Sequence, residues 1–538
     1  MENRNTIIAL VLMLLVWSGF TYFFPPQRIQ NDQKIDENQV VESDNEKNII
    51  SSQYDELIDE NNNSTVNSDI IEKTFVVENN KFIAVFSTRG GTIISIKLKD
   101  YRLTNDSDSD LVTIIDSKFE VPSLLSLGTN SLAIDPNLYY SVDIVEDIVV
   151  ENNKRILFKA ETNSGLIVTK EYSFDVDTYN IGFNISLNNI SESTLSGQVE
   201  LSLQSFWEDS MEGNRLEFVG PVSYSLDELF TDDVEDIIEK PKKYTELIQW
   251  SGFEDKYFIS SLIVPNSSDV SQLLISKNYK KITNTFILSP ISLLPSQSKA
   301  FNFQLYYGPK DVNILANAGN KLYEAVDFGF FKILAKPLHV VLNFFNKYVG
   351  NYGVSIILLT IILKLIFWPL TQKSYVSMKA MQTLQPEMKK LREKYRNDKE
   401  GLNRKTMELY KENRVNPMGG CLPMLVQIPV FFALYKVLLG TIELRHSPFI
   451  FWITDLSVKD PYYITPVVMG LTMFIQQKLT PSTMDPMQAK MMMAMPIVFT
   501  FMFLNFPAGL VIYWLVNNLL TIFQQYLIYR KPAVIIAD

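Results

Sequence analysis

The stretch Gly353–Thr371, GVSIILLTIILKLIFWPLT, decides how the rest of the chain is read. A run of about 20 mostly apolar residues is the length that crosses a hydrocarbon core of roughly 30 Å. One ionisable residue, Lys364, stands inside it. A lysine at the centre of a membrane helix costs on the order of 3 kcal/mol, so it faces protein or water rather than lipid. Thr360 precedes it by one helical turn on the same face. Snorkelling to the nearer interface is the alternative, yet Trp368, Pro369 and Lys373 already supply interfacial anchors there.

Downstream, Gln372–Gly420 carries twelve Lys or Arg against six Asp or Glu, including Lys389, Lys390, Arg392 and Lys394. Met378, Met381, Leu384, Met388, Leu391 and Tyr395 recur at heptad-like spacing, as do Leu402 and Leu409 after a break at Asn397-Asp398. The pattern predicts a helical hairpin over 372–420, and its basic charge puts it in the cytoplasm. Further spans follow at Cys421–Gly440, with Gln427 and Lys436 inside, and at Tyr462–Gln477. A short loop to Lys490 is followed by MMMAMPIVFTFMFLNFP, with Met484, Met487 and Met491 clustered there, and LVIYWLVNNLLTIFQQYLIY completes the set. Methionine is flexible and polarizable, suited to varied apolar partners.

Upstream, Lys321–Tyr348 reads as an amphipathic helix, with Phe328, Phe331, Leu334, Leu338, Leu342 and Phe345 at spacings of three and four. A helix of that kind lies in the membrane interface, and packing against the preceding domain is the alternative. Residues 73–320 hold short alternating runs such as TFVVE, KFIAVFS, RILFKAET, LIVTKEYSF and FNFQLYY between Gly, Pro, Asn and Asp turns, which predicts a large β-sandwich. The Asn/Asp/Ser-rich stretch 27–72 is a disordered tether. Residues 1–26 contain the apolar run Thr6–Phe24, expected to be an uncleaved transmembrane anchor with its Arg4 end inside. The fold expected is therefore a polytopic α-helical membrane protein with six transmembrane helices, a large outside β-sandwich and a cytoplasmic helical hairpin, with both termini inside.

The formal charge of −11 over 538 residues belongs mostly to the first half. A single cysteine, Cys421, excludes an intramolecular disulfide, and the two histidines, His339 and His446, are far apart. No metal-ligand spacing, phosphate-binding GxxxxGK[ST] loop or GxSxG elbow is present, so no cofactor, metal or enzymatic activity is expected. The polar residues that fall at membrane depth are Thr360, Lys364, Gln427, Gln476, Gln477, Asn517 and Asn518. Each is costly in hydrocarbon unless it meets a partner or water, and together they suggest a hydrated cavity.

The basic residue within 353–371, the hairpin, NPMGGCLPMLVQIPVFFALY, DPYYITPVVMGLTMFIQQKL and FPAGLVIYWLVNNLLTIFQQ together resemble the YidC/Oxa/Alb family of membrane protein insertases. The likeness covers nearly the whole chain, and the anchor and sandwich resemble Gram-negative members with a large periplasmic domain. It implies a chaperone-like insertase of the inner membrane, with 351–538 as its core, acting on nascent membrane proteins alone or with the Sec translocon. It also implies a hydrophilic groove that holds one positive charge, here Lys364 where relatives usually carry arginine. Lysine keeps the charge but loses the planar fork. The groove expected from the residues comprises Thr360, Lys364, Gln427, Tyr513, Trp514 and Asn517, with Tyr513 and Trp514 near the client's path. After Arg530 the tail carries little basic charge, so ribosome or client contact is expected on Lys389, Lys390, Arg392, Lys394, Met484, Met487 and Met491, beside membrane lipids. A transporter or channel would show inverted repeats, and no similarity between halves is visible. A glycan-active sandwich with the spans as anchors is the third possibility.

Overall fold

The computed structural model describes residues 72–115, 125–129, 132–143, 146–211, 218–396, 398–413, 415, 422–480 and 486–530. The expected anchor, tether and Met484 lie outside the described residues. Thr74–Asp538 falls in one compact unit.

Its first part is built on alternation. Asn180–Asn189 pairs antiparallel with Leu166–Phe174 on one side and Ser298–Pro309 on the other. Every second residue of the central strand, Ile181, Phe183, Ile185 and Leu187, is fully buried, as a period of two requires when one face meets a core. These strands centre a nine-stranded sheet, and two five-stranded sheets accompany it. Phe86, from one of the smaller sheets, meets Tyr172 and Phe174 of the large one edge-on at 5.1 and 5.9 Å. Asn284, from the other, donates to Ser251 Oγ at 2.7 Å. The sandwich expected from the strand pattern is thus present, with further strands at Gly220–Ser225, Ile248–Glu254, Val270–Asn278 and Lys281–Leu288.

The α-helices are α1 (Val234–Glu239), α2 (Val312–Ala318), α3 (Lys332–Val349), α4 (Tyr352–Thr383), α5 (Gln385–Lys394), α6 (Lys399–Glu412), α7 (Leu422–Gly440), α8 (Ile464–Leu479), α9 (Pro486–Phe503) and α10 (Ala508–Arg530). The amphipathic helix starts at Lys332, later than Lys321, because Asn320, Lys321 and Gly329 adopt positive φ and interrupt it with short 3-10 turns. Its Leu342 is buried, while Phe330, just before the helix, and Ile333, Val340, Phe344 and Tyr348 form a second, exposed apolar strip.

Asn351 caps α4, its side chain accepting from Val354 N at 3.0 Å. The helix continues beyond Thr371 to Thr383, so the expected hairpin begins as the end of the lysine helix. Among the described residues, α4 and α10 are the helices long and apolar enough to cross a membrane; Val426–Gly440 and Met492–Phe503 are shorter apolar helices. Beyond α4, helices α5 and α6 fold back on each other, with Met381, Leu384, Met388, Tyr410 and Val415 forming a small core. Of the residues at heptad-like spacing, Met381, Leu384 and Met388 belong to this core and Met378 and Leu409 pack against it, while Leu391, Tyr395 and Leu402 do not.

Candidate functional site

Three helices meet around Lys364. Helix α4 contributes Thr360, Leu363, Lys364, Phe367, Leu370 and Thr371, α7 contributes Gln427 and Val430, and α10 contributes Tyr513 and Asn517. Together they line a cleft of about 30 Å³, room for roughly two waters. The spacing explains the α4 face, since 360, 364, 367 and 371 repeat every three or four residues and stack on one side of a helix.

Lys364 is 8% exposed. Its Nζ donates to Thr521 Oγ1 on α10 at 2.6 Å. Among the described residues no carboxylate lies within ion-pair distance of it. Below it a second polar contact joins the same helices, Gln524 Nε2 donating to Thr371 Oγ1 at 2.8 Å. Lower still, Lys379 Nζ reaches the Ile528 and Tyr529 carbonyls, each at 3.2 Å, where a cation complements the end of a helix. Across the cleft, Tyr513 on α10 and Gln427 on α7 line the other walls. The Thr360 hydroxyl is turned onto its own helix, donating to Ile356 O at 2.6 Å.

Five of the six expected groove residues therefore converge. Trp514 does not line the cleft: it packs edge-on against Phe431 at 4.8 Å and beside Phe503 at 5.3 Å. Adjacent helical residues point about 100° apart, so Tyr513 and Trp514 do not share a face. Asn518, likewise, turns from Asn517 toward α8 and donates to Thr472 Oγ1 at 3.4 Å. Gln476 and Gln477 lie half-buried near the end of α8, off the cleft. In the hairpin, Lys389, Lys390 and Lys394 are exposed and Arg392 is half-buried. Met487 and Met491 belong to α9, with side chains outside the described residues.

The sequence reading missed Thr521, Gln524 and Thr371. The signal was available, since Asn517, Thr521 and Gln524 recur at spacings of four and three on the last helix.

Residues 344–534 match the family described as 60Kd inner membrane protein, and residues 74–341 match the YidC periplasmic domain. A "Membrane protein insertase YidC" of Geotalea daltonii is 46% identical over 98% of this chain and 98% of its own. The chain belongs to the YidC insertase family. A YidC of Geotalea uraniireducens is 44% identical, again over 98% of both chains, and one of Geobacter sp. strain M21 is 48% identical over 85% of each. The two family matches divide the YidC chain near residue 342, within the amphipathic helix α3 that links the sandwich to the helical core holding the cleft.

Proposed function

We propose that this protein inserts nascent membrane proteins into the inner membrane and helps them fold, with the cleft around Lys364 as the place where a client's polar segment is received. The observation that carries the proposal is a buried lysine facing a neutral hydroxyl at the junction of three helices, with no carboxylate beside it among the described residues. Crossing a bilayer is costly for a polar tail because its groups lose water. A wet cleft reaching partway through shortens the apolar distance, and the ammonium attracts acidic groups on the client. The walls part to admit the tail. The client's apolar helix then leaves for lipid, and that transfer supplies the free energy without a nucleotide.

In this scheme six helices cross the membrane with both termini cytoplasmic, the sandwich is periplasmic, and α3 lies in the interface. The basic residues Lys389, Lys390, Arg392 and Lys394, with Met484, Met487 and Met491, meet the client, the ribosome or anionic lipid on the cytoplasmic side. The protein acts alone or beside the Sec translocon.

The test replaces Lys364 by Arg, Ala and Glu in proteoliposomes and reads protease protection of a single-span client with an acidic outside tail. Arg is expected to support insertion, Ala to slow it roughly tenfold, the worth of one charge-assisted contact, and Glu to abolish it. Equal insertion by all three would remove the charge from the mechanism.

A further inference from the structure

We propose that Thr521 is a positioning residue for insertion, holding the Lys364 ammonium at the cleft wall on a neutral acceptor that a client carboxylate can displace. The inference rests on the role of the cleft charge proposed above.

The hydrogen bonds fix the direction of this contact. Thr521 Oγ1 donates its proton to the Asn517 carbonyl one turn earlier, at 2.7 Å. A hydroxyl has one proton and two lone pairs, so what remains for Lys364 is acceptor capacity, and Nζ takes it at 2.6 Å. The register of α10 against α4 is held independently by Gln524 on Thr371 at 2.8 Å and by Lys379 on the Ile528 and Tyr529 carbonyls at 3.2 Å. Thr521 is therefore presented to Lys364 by two contacts further along the same seam.

A neutral acceptor suits this task better than an acidic one. At 8% exposure, an ammonium with no fixed acceptor leaves a costly, poorly satisfied charge. A permanent carboxylate partner would satisfy it but would also neutralise it and compete with the client. A hydroxyl keeps the ammonium in place, and a client carboxylate adds the attraction of an opposite charge, which a neutral hydroxyl lacks and which low-dielectric surroundings strengthen. The exchange thus favours clients whose leading polar segment carries Asp or Glu. Without the hydroxyl, the long lysine side chain is free to turn toward the interface.

The experiment uses the full-length protein in proteoliposomes with two clients that differ only in one Asp or Asn in the leading tail. Thr521→Val keeps the shape and removes the acceptor, Thr521→Ser restores it, and Lys364→Ala removes the charge. The proposal expects Thr521→Val to slow the Asp client roughly tenfold, to leave the Asn client within about twofold, and Thr521→Ser to restore the Asp client. Equal slowing of both clients by Thr521→Val, or failure of Ser to rescue, would assign Thr521 a merely structural role and overturn it. A wild-type rate for the Asp client in Thr521→Val, with Lys364→Ala slow, overturns the positioning role alone. If Lys364→Ala treats the two clients alike, the cleft charge itself is refuted and the positioning role falls with it.

Discussion

Lys170 lies at the middle of Leu166–Phe174 and is 1% exposed between the sheets of the sandwich. Its Nζ donates to the Gly90 carbonyl at 2.6 Å and sits over the Tyr140 ring at 5.1 Å. The Tyr140 phenol is itself pushed up by burial and is neutral at ordinary pH. Burial lowers the lysine from 10.5 to about 7. Between those values the unfolded chain holds the proton that the folded chain has shed, so stability rises with pH across this window and is lost as pH falls toward about 7. The sandwich of the intact protein is expected to melt at a higher temperature at pH 9 than at pH 7.5. Lys170→Met should flatten that dependence and raise the melting temperature most at the lower pH. A parallel rise with pH in wild type and variant would place the effect elsewhere. The burial of this lysine was legible in the sequence, because Lys170 is in phase with Leu166, Val168, Tyr172 and Phe174 along the strand. Lys364 announced itself differently, as the lone charge in an apolar run. Its partner Thr521 lies 157 residues away, a separation that no local period encodes.

Helices α8 and α9 approach closely at Gly470. A Cβ there would collide with the Thr500 side chain, and Thr500 is held in place by its hydroxyl's bond to Pro496 O at 2.7 Å. A small residue at a helix contact lets backbones come together where lipid offers no hydrophobic drive. Gly470→Leu is expected to destabilise the helical core by about 1–3 kcal/mol, as overpacking does. The check is the unfolding temperature in detergent, with Gly470→Ala between wild type and Leu; an unchanged temperature for Leu would show that the seam is loose. At this scale the sequence showed where helices lie, because apolar length and turn residues are local. It did not show which face of each helix meets which neighbour. Asn517 and Asn518 both fell at membrane depth, with Asn517 alone expected in the groove; Asn517 lines the cleft and Asn518 faces Thr472. The late start of α3 at Lys332 was hidden for a similar reason, since the apolar spacing ran straight through the positive-φ positions at Asn320, Lys321 and Gly329.

The sandwich meets the helical core at the turn after α7. Arg445 places its guanidinium near the rings of Tyr257 and Phe258, at 5.8 and 5.7 Å, and donates to the carbonyls of Arg102 and Leu103. Asn105 adds a bond to Thr454 O at 3.1 Å. Beside these, Glu443 accepts from Asn343 at 3.2 Å and lies 3.4 Å from His339, tying the turn to α3. None of the Arg445 contacts touches the cleft, whose walls come from α4, α7 and α10. Sequence reading recognised both bodies but not this joint, because its partners are more than 180 residues apart. Two outcomes separate a docked accessory domain from an active one. Arg445→Ala removes a cation–π pair worth about 0.5–2 kcal/mol together with its carbonyl anchors, so the segment at residues 319–330 should be cut faster by protease while client insertion stays within about twofold. Deletion of residues 79–307 carries the same logic to its limit: the cleft and its seam remain, and a short single-span client should still insert at a rate near that of the whole chain. Loss of all insertion after that deletion, with the helical core still folded, would move the working part of the molecule into the sandwich, where the cleft charge has no role.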